Sequence, residues 1–177
     1  GRDSMVMSEL FFRTGYFITL AHCNFNLRGD ESDLDEQLVR DYAKNHRLPI
    51  FVKSFDTQKF AEENKISIQM AARELRYAWF EELRLLHKCV VIAIAQHKND
   101  HVETVLLNLT RGTGIRGLGG IQKIRDYIIR PLLFLEARDI SQLVSKLSIP
   151  FRDDSSNFSN KYARNKIRLD IIPEFEK

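Results

Sequence analysis

Cys89-Val90-Val91-Ile92-Ala93-Ile94-Ala95 is an unbroken apolar run that passes directly into Gln96-His97-Lys98-Asn99-Asp100-His101-Val102-Glu103-Thr104. A β-branched run of this length suits a parallel strand covered on both faces. The polar residues after it then lie at the carboxyl end of a strand, where open α/β sheets bind ligands. Asp100 to Thr110 reads as the helix that follows. Upstream, Ser67 to Lys88 reads as a long helix, with Ile68, Ala72, Leu75, Trp79, Leu83 and Leu86 forming one apolar stripe.

The alternation continues outward. Met5 to Phe12 predicts a helix with Val6, Met7, Leu10 and Phe11 inward, and Tyr16 to Ala21 a strand. A helix opens at Ser32, with Asp35 completing a capping box and Leu34, Leu38 and Tyr42 as its stripe. Pro49 ends that segment and Ile50 to Val52 begins another strand. Downstream, Gly112 to Gly120 carries five glycines in nine residues and reads as a loop. Ile128 and Ile129 suggest a short strand, and Glu136 to Lys146 a helix. Asp153 to Asn160 reads as a polar turn and Lys161 to Arg168 as a basic helical turn. The expected fold is therefore α/β, a doubly wound, mostly parallel sheet with helices on both faces. A parallel sheet ordinarily has a strand before its first helix, so a strand upstream of Gly1 is expected.

Composition fits one ordinary globular domain: 177 residues, 44% hydrophobic and 29% charged. No apolar run approaches the roughly 18 residues of a membrane helix, and the start has no signal-peptide pattern. Cys23 and Cys89 are isolated from each other, which favours a reducing, cytoplasmic setting and disfavours a Cys-held metal. Net charge is +3, but residues 111–177 hold 13 Lys and Arg against 8 Asp and Glu. A basic third of this kind suits a polyanionic partner, although a solvated charged surface is the simpler reading of charge alone.

Five constellations carry chemistry. Gly1-Arg2-Asp3-Ser4 leads a helix N-terminus, which favours a phosphate but equally suits a plain helix cap. Asp100 and Glu103 share a helix face and are suited to hold Mg²⁺ or to take a proton from an amine. His97 and His101 have a zinc-protease spacing, but Lys98 stands where that motif needs its Glu. Arg73 and Arg76, three apart on the long helix, suit a phosphate or carboxylate, or merely a charged surface. Arg111-Gly112-Thr113-Gly114 and the glycines after it permit close backbone approach to a nucleotide, or form a flexible connection.

In this order the motifs resemble the tRNA(Ile)-lysidine synthetase family of N-type ATP pyrophosphatases. That family opens with Ser-Gly-Gly-x-Asp-Ser, and Gly1-Arg2-Asp3-Ser4 matches its last four positions. The segment His22 to Gly29, the helix from Ala71 to Tyr77, and Glu103 to Leu109 match in turn. So do Arg111 to Gly114, Ile129-Arg130-Pro131-Leu132-Leu133, and Ser155-Ser156-Asn157 with Tyr162, Arg164, Asn165 and Arg168. The chain departs from the family at Gln96, where many members have His, and at Asn99, where many have Asp. Asn99 brings no charge to a metal, so any Mg²⁺ role falls to Asp100.

The resemblance implies an adenine nucleotide alpha hydrolase-like, Rossmann-like domain over 1–170. Residues 171–177 would begin a linker toward tRNA-binding domains. It implies ATP-dependent ligation of free L-lysine to C2 of the wobble cytidine of a tRNA(Ile) with a CAU anticodon. The catalytic set would be Asp3, Asp100, Glu103, Arg73 and Arg76. ATP would meet Gly1, Arg2, Asp3, Ser4, Ala21, His22, Arg111, Gly112, Thr113 and Gly114, with Mg²⁺ at Asp100. Asn157, Arg164, Asn165 and Arg168 would bind substrate and the tRNA anticodon loop. A homodimer is left open, as are a related tRNA-base thiolating or amidating enzyme and a non-catalytic ATP-binding module.

Overall fold

A computed structural model describes residues 1–152 and 163–175. The chain divides into two compact units. One comprises 8–92 and 150–152; the other comprises 1–7, 93–149 and, among the described residues, 163–175.

In the first unit, β1 (Leu20–Asn24) and β2 (Ile50–Ser54) pair in parallel, Leu20 opposite Ile50 and Asn24 opposite Ser54. Helix α2 (Asp30–His46) connects them. It ends where Arg47 turns left-handed and donates its N–H to the last carbonyls. Strand β1 begins later than the expected Tyr16, because Tyr16 and Phe17 are exposed and pairing starts only at the Leu20 N–H to Pro49 carbonyl bond. Helix α2 in turn begins two residues before Ser32. The expected capping box is absent: Ser32 is buried inside the helix, and Asp35 instead pairs with Arg28 and Arg152. Leu34 is exposed, and the buried face runs through Ser32, Tyr42 and Ala43.

Helix α3 (Thr57–Asn64) was not legible in its polar sequence. Its start is set by Asp56, whose side chain accepts the Lys59 N–H at 3.0 Å. Helix α4 (Ile68–Leu86) follows, capped by Ser67, the residue at which the expected helix begins, whose hydroxyl accepts the Met70 N–H. Ala72 and Trp79 of the predicted stripe are buried, and the terminal Leu86 is exposed. Phe55 meets Trp79 edge-on and stacks on Phe25, which joins the β2 end to α4.

Helix α1 (Arg2–Arg13) begins in the second unit with Met5 and Val6 buried. A three-stranded sheet has the order β3-β5-β4, from β3 (Ile92–Ala93), β4 (Ile124–Arg125) and β5 (Ile128–Ile129). The last two form an antiparallel hairpin turning at Asp126 with φ 53°. The long apolar run thus yields only a two-residue edge strand, and Val90 is 82% exposed rather than covered on both faces. Among the described residues β3 has β5 as its neighbour.

Helix α5 (Lys98–Thr110) follows, and the glycine-rich segment folds into a short helix α6 (Ile115–Leu118) rather than a plain loop. Helix α7 (Ala137–Leu147) buries Ile140 and Val144. After the undescribed residues come α8 (Ala163–Lys166), a π-helical turn (Ile167–Ile171) and α9 (Ile172–Phe175). The stretch read as the start of a linker is therefore helical over Ile172–Phe175. Among the described residues no helix is long and apolar enough to cross a membrane.

Candidate active site

Helix α5 organises the second unit. Asp100 and Glu103 lie in its first two turns, on one face, as the three-residue spacing predicts. Glu103 is 0% exposed. A buried carboxylate is costly unless fully bonded, and Glu103 is: Arg164 Nε donates to its Oε2 at 2.6 Å, Arg168 Nη2 to the same oxygen at 3.0 Å, and Arg168 Nε to Oε1. These bonds, foremost among its interactions, raise the Arg168 pKa further above its ordinary value. Arg164 also donates to Asp100, at 3.0 Å to Oδ1 and 3.3 Å to the backbone carbonyl. Asp100 Oδ2 accepts the His97 N–H at 2.9 Å, which caps α5.

Asp3, in the first turn of α1, reaches the same place. Its Oδ2 is 3.9 Å from His97 Nε2, and its Oδ1 is 3.5 Å from Arg2 Nε. The unit therefore gathers three carboxylates, Asp3, Asp100 and Glu103, around two guanidiniums, with Glu103 fully committed to holding them. Asp3 is the carboxylate left most open to a ligand.

The remaining predicted residues are distributed as follows. Gly1 and Ser4 are exposed beside Asp3, and Arg2 also donates to Ser141 at 3.3 Å. Asn165 lies in α8 between Arg164 and Arg168 in sequence, and Asn157 and Tyr162 fall outside the described residues. Arg111, Gly112, Thr113 and Gly114 are exposed at the end of α5. Asn108 holds them: its carbonyl accepts the Arg111 and Thr113 N–H groups, and its side chain donates to the Gly117 carbonyl. Gly117 and Gly120 serve packing. A Cβ would meet Thr113 Oγ1 at 1.9 Å in the first case and His101 Cε1 at 2.6 Å in the second.

Ala21, His22, Arg73 and Arg76 belong to the other unit. Ala21 is exposed on β1, while burial disfavours the charged form of His22 and lowers its pKa. Arg73 lies over the Tyr77 ring and Arg76 over the Phe25 ring, at 4.7 and 5.2 Å. Phe25 and Phe55, with Asn26, Leu27 and Thr57, line a half-open hollow of about 240 Å³.

Three residues near α5 take parts that sequence reasoning missed. His97 is 5% exposed and faces Asp3 and Asp100, whereas His101 turns to the Ile121 N–H. The two histidines thus have separate partners, and among the described residues no group of three or more metal-ligating side chains occurs. Asn99, where a charge seemed wanting, accepts the Ala137 N–H at 2.9 Å and so caps α7. Gln96 accepts from buried Arg130 at 2.6 Å, which ties the end of β3 to the residue after β5. Only its mixture of polar residues at a strand end hinted at any of this.

A family model described as a PP-loop domain matches residues 1–175. A tRNA(Ile)-lysidine synthase of Parabacteroides distasonis is 46% identical, over 99% of this chain and 40% of its own length. The protein of the same name from Bacteroides thetaiotaomicron is 44% identical, over 98% of this chain and 41% of its own. That of Petrotoga mobilis is 39% identical, over 100% and 58%. The chain thus spans about two fifths to three fifths of the length of these relatives. In fold it is similar to a U34-tRNA thiolase of Methanococcus maripaludis that carries a 4Fe–4S cluster. There the TM-score is 0.80 at 14% identity, covering 99% of this chain and 63% of that one.

Proposed function

The chain belongs to the PP-loop domain family, and on that footing we propose that it is the catalytic part of an enzyme joining free L-lysine to C2 of the wobble cytidine of a tRNA(Ile) with a CAU anticodon, at the expense of ATP. The observation that carries this reading is the cluster at the start of α5, where an open carboxylate from α1, Asp3, stands near a second one, Asp100, that two guanidiniums steady.

The reaction has two steps. The cytidine C2 oxygen attacks the α-phosphate of ATP, and pyrophosphate leaves. The lysine ε-amine then attacks C2, and AMP leaves with that oxygen. Pyrophosphate needs preorganised donors, which the N-terminus of α1 offers at Gly1 to Ser4, with Arg2 alongside. The amine is protonated in water, with a pKa of about 10.4. Asp3 and Asp100 would receive it as the ammonium, and Asp3, the more open of the two, would take its proton. Glu103 is spoken for by Arg164 and Arg168, so its role is to aim them. Their remaining N–H groups would bind the lysine carboxylate or an RNA phosphate. Arg111 to Gly114 would lie against nucleotide phosphates. Ala21 and His22 are proposed contacts of ATP, and Arg73 and Arg76 of the same unit are proposed contacts of phosphate or RNA.

Asp100 is a poor seat for Mg²⁺. Guanidinium nitrogens stand 3.0 and 3.6 Å from its Oδ1, and a divalent cation coordinated at about 2.0–2.1 Å would be repelled by both far more than a monovalent ammonium at hydrogen-bond distance. Mg²⁺ is therefore taken to arrive on the ATP phosphates as part of the substrate, and no step runs through a resident ion.

The test is direct. The intact protein that carries this chain should release AMP only when lysine and a CAU-anticodon tRNA(Ile) are both present, and Asp3→Asn should abolish that release. Incorporation of another amino acid, AMP release without any, or sulfur transfer to the tRNA would each refute the reading. Sedimentation of the same preparation tests the homodimer, and its fractionation with cytosol tests the cytoplasmic setting.

A further inference from the structure

His97 occupies the junction between β3 and α5, and the two edges of its ring are treated in opposite ways. Nε2 lies 3.6 Å from Asp100 Oδ2 and 3.9 Å from Asp3 Oδ2. Nδ1 is buried, and among the described residues it has no hydrogen-bond partner. A bare lone pair at Nε2 would point at two carboxylate oxygens, so Nε2 carries the ring hydrogen. Nδ1 is then an acceptor turned toward the Asp100 N–H in the capping box of α5, with no hydrogen bond of good geometry there. Capping alone asks for a small polar side chain, and does not account for the Nε2 edge that faces two carboxylates.

What the ring does hold is Asp3. Without it, Asp100 keeps the Arg164 guanidinium on one oxygen and the His97 backbone N–H on the other. Among the described residues Asp3 has Arg2, at 3.5 Å, and the more distant charge of Arg168 besides the ring. We infer that His97 is a positioning residue, whose Nε2–H bridges the carboxylate of α1 to the carboxylate of α5 so that one ammonium group meets both. This rests on the lysine-ligation reading and deepens it. The ring does not touch the reacting atoms; it fixes where Asp3 waits for them.

The bridge separates two quantities that a structural histidine would move together. In the intact protein, His97→Leu raises KM for lysine about tenfold, the size of one displaced charge-assisted contact. Lysine-independent pyrophosphate release in a single turnover stays within about twofold, and the melting temperature falls by no more than the few degrees that loss of one weak helix cap costs. His97→Gln places an amide N–H near the position of Nε2 and recovers most of the loss. His97→Asn places its amide at the position of Nδ1 and does not. An unchanged KM for lysine in His97→Leu, a fall of every parameter together with stability, or equal rescue by His97→Gln and His97→Asn overturns the inference. A second measurement is independent of lysine. The ¹⁵N spectrum of labelled His97 should show the Nε2–H tautomer and should respond to Asp3→Asn. The Nδ1–H tautomer, or no response, overturns the bridge even where ligation itself stands. If the wild-type protein transfers no lysine, the ligation reading fails, and the spectrum still decides the bridge.

Discussion

Replacing Glu103 by glutamine should loosen the second unit by an amount that the geometry sets. The carboxylate is wholly buried and accepts three guanidinium bonds, from Arg164 Nε, Arg168 Nε and Arg168 Nη2. Glutamine keeps the shape, loses the charge and turns an NH₂ toward one of the arginines. Removing one partner of a buried ion pair costs about 3–5 kcal/mol. Here the arginine side chains are 38% and 34% exposed, and Asp100 still accepts from Arg164. Water and Asp100 therefore absorb part of the loss, leaving about 2–3 kcal/mol. For a protein of this size that is about 5–10 °C in Tm. Urea unfolding followed by circular dichroism measures it. Crossing Glu103→Gln with Arg168→Met should give a coupling of about 1.5 kcal/mol or more. A change below about 0.5 kcal/mol, or independent effects of the two substitutions, would refute the argument that Glu103 is the anchor of the arginines.

Four further outcomes are expected. Burial pushes the Glu9 pKa up, but the bonds from Arg13 and Tyr42 outweigh it and the net shift is downward. Glu9 then adds stability above the ordinary glutamate value of about 4.3, and this is lost as pH falls through its lower folded value. Glu9→Gln should therefore flatten the acid limb of a stability–pH curve and leave its slope at neutral pH alone. Burial raises the Cys23 thiol to about 11, so iodoacetamide should leave Cys23 largely unlabelled at pH 8, as peptide mapping would show. Asn99→Ala should cost about 1 kcal/mol in urea unfolding, while Asn99→Asp, which keeps the cap and suits the helix dipole, should cost almost nothing. Gly120→Ala meets both a φ of +56° and the His101 ring, and should lower the melting temperature by several degrees.

The sequence carried the architecture where periodicity and turn chemistry agreed. Ser67 opens α4, and Pro49 precedes β2, as read. It misled where tertiary bonds outvoted local signals. Asp35 has the spacing of a capping partner, yet Arg28 and Arg152 claim it. The run Cys89 to Ala95 reads as one long strand, and among the described residues only Ile92–Ala93 of it is paired as β3. At the site, the face shared by Asp100 and Glu103 was legible because helical spacing fixes it. The commitment of Glu103 to Arg164 and Arg168, the bridging position of His97 and the capping by Asn99 were not. Each depends on a partner far along the chain, and no local pattern encodes such a meeting.

The arginine anchor also has a consequence for synthesis. Glu103 meets Arg164 across 61 residues and Arg168 across 65. At about 5–20 residues per second, α5 leaves the ribosome several seconds before either guanidinium exists. During that interval Glu103 has no partner worth burying it, so the first turns of α5 have reason to stay in water. The pocket that would receive the amine is thus completed only once Arg164 and Arg168 have followed α5. A nascent chain stalled before Arg164 should hold its strands and helices yet lack the site, a built-in delay between being folded and being competent.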